Sequence, residues 1–191
     1  RLLQIGLIVA VPAPAVYTFV TGKTVVLQTV PVDPYDFLRG YYQVLSYDIS
    51  QPNNLEKLPG WKDLPGDKIP CPPGTVCQEP KTYNVKSGTS FYVILESPKD
   101  ATNSGSPKAW KPVRVSWEIP ANLPANQIAI QGKYDGWRME YGLETYYMPE
   151  HEREKVNNEI GEAQRGQRQS FVVEVKVDKQ GHAVPVSLWV R

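Results

Sequence analysis

The chain has few residues that suit metal binding or acid–base catalysis, and its charges nearly cancel. Its 191 residues include two histidines, two cysteines and a formal net charge of +1, from 21 basic and 20 acidic side chains. A balanced charge without a run of one sign argues against a nucleic-acid-binding protein, which presents a clustered basic face. The few histidines and cysteines are too scattered for the four ligands of a structural zinc site. We therefore expect no nucleic-acid partner, no metal and no cofactor.

Long helices are also expected to be scarce. The 18 prolines break the chain into short elements, which favours strands and loops. The length suits one domain with its own core. Apolar periodicity predicts strands over residues 24–34, 40–49, 90–97, 112–119, 126–134, 142–148, 171–178 and 182–191. One surface helix is predicted at 149–164, with long loops at 98–111 and in a Pro/Gly-rich insert at 51–82. The predicted fold is mainly β.

The N-terminal segment is predicted to cross a membrane. No charged residue lies between Arg1 and Lys23, and most positions there are apolar. About 20 such residues suffice to cross a hydrocarbon core about 30 Å thick. We therefore expect a transmembrane helix at residues 1–22, kinked by two prolines, that contacts lipid through residues 2–20.

The bulk of the chain, residues 23–191, is expected outside the cytoplasm. Arg1 precedes the span, and the positive-inside tendency then places the β-domain on the periplasmic or lumenal side of an inner or thylakoid membrane. Cys71 and Cys77 flank a Pro-Pro-Gly turn, and a disulfide there agrees with an oxidising compartment. Two reduced thiols are the alternative. For the N-terminal segment, a signal peptide cleaved near residues 13–15 and a buried core helix stay open.

Two blocks of sequence resemble the signature of a known family. Residues 40–47 are GYYQVLSY, and residues 141–150 are YGLETYYMPE. Together with the preceding hydrophobic segment, they resemble the GDYXXLXY family of membrane-anchored bacterial proteins. The matching positions are Gly40, Tyr42, Leu45, Tyr47, Tyr141, Gly142, Glu144 and Pro149. Tyr41 stands where the family has aspartate.

The resemblance implies a topology and a location but no reaction, because the family has no established function. Gly40 can adopt a backbone conformation closed to other residues. Tyr42, Leu45 and Tyr47 can pack the start of a sheet. Any chemistry that the family's aspartate performs would be absent here, because Tyr41 replaces it.

The ionisable side chains do not form a recognisable catalytic set. A triad needs a nucleophile, a base and an orienting group within mutual reach. His151, at the predicted helix start, and His182, in a predicted hairpin turn, are expected to be exposed. Glu144 is expected to form a structural ion pair with Arg39 or Arg138. The sequence thus predicts a protein that is not an enzyme.

The tryptophans divide into two predicted groups. Trp117 and Trp189 lie on predicted strands and are expected in the core. Trp61 and Trp110 lie in the long loops, where they are candidate partner contacts because aromatics are enriched at interface hot spots. The alternative is that each loop tryptophan folds back over its own domain.

These expectations favour a non-catalytic, membrane-anchored accessory or scaffold subunit of a larger membrane complex. One alternative is an extracytoplasmic domain that binds a small ligand or glycan on a platform of Tyr41, Tyr42 and Tyr47. Another is a serine hydrolase, which requires a Ser/Lys or His/acid pair within hydrogen-bond reach.

Overall fold

Antiparallel strands make up most of the regular structure. The computed structural model of the protein describes residues 12–30, 42–68, 83–99, 107–147 and 171–190. The strands within these ranges are β1 Lys23–Gln28, β2 Tyr42–Val44, β3 Gly66–Lys68, β4 Tyr83–Val85, β5 Ser90–Glu96, β6 Lys111–Ser116, β7 Gln127–Tyr134, β8 Met139–Glu140, β9 Thr145–Tyr147, β10 Phe171–Val177 and β11 Ala183–Val190. The helices are α1 Ala13–Thr21 and α2 Pro52–Leu55, with 3₁₀ turns at Asp48–Ser50 and Trp61–Asp63. The predicted mainly β fold is confirmed. The helix predicted at 149–164 lies outside the described residues.

The largest sheet is built around β5. Its four strands are antiparallel neighbours in the order β6-β5-β7-β8. β5 is flanked on both sides, and Phe91, Val93, Ile94 and Leu95 are fully buried. β-branched and aromatic side chains suit such a central strand. The prediction of a core strand over residues 90–97 is confirmed.

A second antiparallel sheet has the order β1-β10-β11. Alternate residues of β1 and β10 point into the same hydrophobic core as the inner face of the first sheet, among them Val25, Leu27, Val173, Val175 and Val177. The predicted C-terminal hairpin is confirmed, with its turn at residues 178–182. The two sheets therefore share one core.

The described part of the insert is a structured cover over the first sheet. Leu55, Trp61 and Leu64 lie in the hydrophobic core, which corrects the expectation of an irregular loop. The Val115 N–H on β6 donates to the Pro59 carbonyl at 2.9 Å, so the insert covers that edge of the sheet. Cys71 and Cys77 lie outside the described residues, and their disulfide stays a prediction.

The predicted membrane span is described only in part. α1 begins after Pro12 and has Pro14 in its first turn, while residues 1–11 lie outside the described ranges. In the portion of the chain that the structure covers, we find no helix with the length and hydrophobicity needed to cross a bilayer. The side chain of Thr18 is buried against the β-domain. The large apolar residues of α1 are more than half exposed, namely Val16, Tyr17, Phe19 and Val20.

Candidate functional site

The two signature blocks lie side by side. β2, from the first block, pairs antiparallel with β9, from the second, so that Tyr42 faces Tyr147 and Val44 faces Thr145. The Leu45 N–H donates to the Glu144 carbonyl at 2.7 Å and continues the ladder. Segments about 100 residues apart in the sequence are therefore hydrogen-bonded neighbours.

Two tyrosine hydroxyls join the blocks in both directions. The Tyr47 hydroxyl donates to the Leu143 carbonyl at 2.9 Å, and the Tyr141 hydroxyl donates to the Ile49 carbonyl at 2.6 Å. We call these four residues the motif clasp. Burial, followed by the nearby charge of Glu144, raises the pKa of both Tyr47 and Tyr141 above the ordinary value of a phenol. Both hydroxyls therefore stay protonated and act as hydrogen-bond donors.

A tight turn orients the second block. The Tyr141 N–H donates to the Glu144 carboxylate at 2.6 Å, which closes the turn on itself. Gly142 within it has φ +74°, a conformation that side chains with a Cβ rarely adopt. The signature residues Gly142 and Glu144 thus stabilise the backbone turn of the second block.

The ion pair expected between Glu144 and Arg138 is not formed. Arg138 instead lies 3.5 Å from Asp135 and 3.1 Å from Glu140, its neighbours in the β7–β8 hairpin. Arg39, the other expected partner, lies outside the described residues. Within the described residues, the Glu144 carboxylate accepts from a backbone N–H of its own turn and not from Arg138.

The ring of Tyr141 packs on the first sheet. Gly132 on β7 leaves room for it, because a Cβ there would lie 2.7 Å from the Tyr141 ring. Phe91 on β5 meets the same ring edge to face, with centroids 6.4 Å apart. The motif clasp is therefore part of the core and has no open face within the described residues that line it.

The remaining signature positions are described to different extents. Leu45 is buried in the core, as expected for a residue that packs the start of a sheet. For Tyr42 only the backbone position is described. Gly40, Tyr41 and Pro149 lie outside the described residues.

A second polar cluster fixes α1 to the β10–β11 turn. The Thr18 hydroxyl donates to Asp178 Oδ2 at 2.7 Å, and His182 Nδ1 lies 3.3 Å from the same oxygen. The N–H groups of Gln180 and His182 donate to Asp178 Oδ1 at 2.9 and 3.0 Å. Burial alone would raise the pKa of Asp178, but these hydrogen bonds outweigh it and hold the pKa below its ordinary value. We call Thr18, Asp178 and His182 the helix latch.

The turn that carries the helix latch also contacts the first sheet. The Gln131 N–H on β7 donates to the Gly181 carbonyl at 2.8 Å. Gly181 has φ +90°, and a Cβ there would lie 3.0 Å from Gln131 N and 3.1 Å from the ring of Tyr92. One five-residue turn therefore joins α1, the second sheet and the first sheet.

The helix latch contains the His/acid pair that a hydrolase requires, but its hydrogen bonds are not arranged as in a catalytic triad. In a triad the nucleophile donates to the histidine. Here the Thr18 hydroxyl donates to the Asp178 carboxylate, and no hydroxyl or thiol of the described ranges bonds to the His182 ring. Nor do three or more potential metal ligands cluster within those ranges. The hydrogen bonds of the helix latch hold α1 against the β10–β11 turn.

The loop tryptophans fold back onto their own domain. Trp61 is 4% exposed and lies in the core, so its side chain is not available to a partner. Trp110 is half-buried against the same core, with the Lys23 ammonium 5.1 Å from its ring centroid. Of the two candidate partner contacts, burial thus removes Trp61 and leaves only part of Trp110 accessible.

The exposed tryptophans are others. Trp117 and Trp189, expected in the core, are 56% and 40% exposed. Trp137 is 81% exposed and was not singled out by the sequence pattern. Its turn contains the dipeptide Asp135-Gly136, which favours a tight hairpin and could have located it.

These features define a small antiparallel β-protein whose signature residues hold its fold together and whose N-terminal helix is fixed to it by a buried hydrogen bond. The chain belongs to the GDYXXLXY family: the family model described as GDYXXLXY protein matches residues 4–188, nearly the whole chain. Neither curated proteins nor solved structures include a match.

Proposed function

We propose that this protein is a membrane-anchored, non-catalytic accessory subunit of a larger membrane protein complex. Its β-domain lies on the periplasmic or lumenal side, and the segment that includes α1 is the anchor. The main support for this proposal is the surface of α1, where four large apolar residues are more than half exposed, namely Val16, Tyr17, Phe19 and Val20. Such an apolar helix surface is stable against lipid or against another protein.

The helix latch supports a scaffolding role. The Thr18 hydroxyl donates to a carboxylate that is itself 4% exposed, which is a strong class of hydrogen bond. A helix joined to its domain only by a flexible linker would let that domain reorient freely. The helix latch instead holds the domain at a defined position relative to α1, as an accessory subunit requires.

The motif clasp supports a structural rather than a chemical use of the signature. Its two hydroxyls are buried, donate to backbone carbonyls and have raised pKa values. The alternative of an aromatic ligand platform needs Tyr47 at the surface, but Tyr47 is fully buried. The ligand-binding alternative therefore has no described residue in its favour.

Photocrosslinking in native membranes tests the proposal. A photoreactive amino acid replaces Phe19 or Val20 on α1, and a control replaces Lys57, which is exposed on the β-domain. We expect reproducible protein adducts of one size from α1 and none of that size from Lys57. Lipid adducts alone would leave an anchor without a subunit role, and an absence of both would contradict the anchor too.

A further inference from the structure

Two exposed tryptophans lie at the same end of the first sheet. β6 and β7 both pair antiparallel with β5, so they run in the same direction and finish at the same end. Trp117 directly follows β6, and Trp137 lies in the turn after β7. We call this the tryptophan end of the sheet.

The turn that carries Trp137 is rigidly built. The N–H groups of Trp137 and Arg138 both donate to Asp135 Oδ1 at 2.9 Å. The Tyr134 hydroxyl donates to the Gly136 carbonyl at 2.6 Å. The Trp137 side chain is 81% exposed, and the backbone that presents it has little further entropy to lose on binding.

Two hydrogen bonds between the sheets show which way the tryptophan end points. The Trp110 N–H, just before β6, donates to the Val26 carbonyl at 2.8 Å. Glu96 pairs with both Lys111 and Gln127, so the start of β6 is level with the start of β7. The start of β7 is therefore level with the middle of β1.

The second bond lies farther along β7, between Gln131 and Gly181. On the second sheet, Gly181 lies beyond the pair Lys23 and Val177, at the end where α1 joins β1. β7 therefore runs towards the end of the second sheet where α1 joins β1. Tyr134 is three residues beyond Gln131, or roughly 10 Å at the rise of a strand.

The geometry points to a membrane contact of the β-domain itself: we infer that the tryptophan end rests in the interfacial region of the bilayer that α1 enters. This inference depends on the proposed anchor. Tryptophan is enriched at the membrane–water interface, where its ring meets both apolar and polar groups. Exposed Lys133 is the penultimate residue of β7, just before the turn that carries Trp137, and its ammonium can extend towards a lipid phosphate. Arg138 in the same turn is exposed too, but it is paired with Asp135 and Glu140. α1, which has exposed apolar residues, joins the second sheet at this same end.

Fluorescence quenching by brominated lipid tests this contact in the full chain. The protein is reconstituted into phosphatidylcholine–phosphatidylglycerol vesicles with bromine on the acyl chains near the headgroup. The variants are Trp117→Phe, Trp137→Phe and both together. Trp189→Phe is the matched control: Trp189 is 40% exposed but pairs with Val172 near the opposite end of the second sheet.

We expect bromolipid to quench the wild-type emission, and the double variant to lose most of that quenching. The Trp189→Phe variant should keep it. Equal quenching in the wild type and the double variant would overturn the inference, as would its loss in the Trp189→Phe variant.

Flotation of the wild type with the vesicles separates the two proposals. A protein that floats without quenching leaves the anchor intact and contradicts the tryptophan contact alone. A protein that does not float contradicts both. If the tryptophans are unquenched in vesicles but shielded from aqueous quencher in native membranes, a protein pocket receives them, and the lipid contact is wrong.

Discussion

The Thr18 hydroxyl and the Asp178 carboxylate form a 2.7 Å hydrogen bond between residues 160 positions apart in the sequence. Thr18 belongs to α1, and Asp178 belongs to the turn that joins β10 to β11. Both residues are buried, so removing one partner from the folded protein leaves the other with little access to water. This buried hydrogen bond therefore adds to the packing of α1 on β10 and β11 and helps to fix the helix on the β-domain.

Replacing Thr18 by valine should loosen this joint. Valine keeps the shape but removes the donor, which leaves Asp178 Oδ2 with a weaker set of partners. We expect a loss of about 1–3 kcal/mol in the free energy of unfolding and faster hydrogen exchange in α1. Thr21→Val is the control, because its hydroxyl donates to the Tyr17 carbonyl in an exposed setting. Equal effects of the two substitutions would show that the contact with Asp178 has no special role.

The helix latch should also make stability depend on pH in the acid range. The pKa of Asp178 is lower in the folded protein than its ordinary value of 3.8, which applies to the unfolded chain. Its carboxylate therefore contributes stability that is complete above the unfolded pKa and is lost as pH falls through the folded pKa. We expect unfolding curves to show a steeper fall in wild-type stability below about pH 4 than in the Asp178→Asn variant. Parallel pH profiles would contradict this role of Asp178.

The two tyrosines of the motif clasp should be needed for stability rather than for any reaction. Tyr47→Phe or Tyr141→Phe leaves a buried carbonyl without its donor, which costs about 1–3 kcal/mol. Tyr92→Phe is the control, since Tyr92 is half-buried and its hydroxyl makes no hydrogen bond within the described residues. Denaturant titrations of the single and double variants measure the effect. Unchanged midpoints for both clasp variants would show that the hydroxyls do not hold the blocks together.

Gly60 should tolerate no side chain, because of both its conformation and its surroundings. It has φ +88°, and a Cβ there would lie 1.8 Å from the Val115 carbonyl oxygen. Gly88 has a similar φ of +86° but open space around the Cβ position. Gly88→Ala should therefore cost only the conformational penalty of about 1–2 kcal/mol, and Gly60→Ala clearly more. Thermal unfolding of the pair makes the comparison, and equal losses would show that the insert does not pack closely on β6.

The parts of the fold that the sequence predicts are those where the pattern of side chains decides the structure. Phe91, Val93 and Leu95 alternate into the core of a strand that local preference also favours, so β5 is found where it is expected. The tryptophans show the limit of such reasoning. Trp117 continues the alternation of β6 but lies just past its end, and Trp61 lies in a proline-rich segment that nevertheless folds into the core.

The site depends on contacts between distant segments, which no local pattern contains. The two signature blocks can be recognised in the sequence. The hydrogen bonds from the tyrosine hydroxyls of each block to the backbone carbonyls of the other depend on the register of β2 with β9. Likewise, nothing in the apolar segment around Thr18 indicates its role, because its partner Asp178 comes from the distant β10–β11 turn. Tertiary structure creates both clusters.

Native extraction in mild detergent, followed by sizing and mass spectrometry of the co-migrating proteins, tests the central claim most directly. An accessory subunit should migrate reproducibly in a complex much larger than its own mass, with the same membrane proteins each time. A single copy of the protein that migrates alone, apart from bound detergent, would contradict the subunit role.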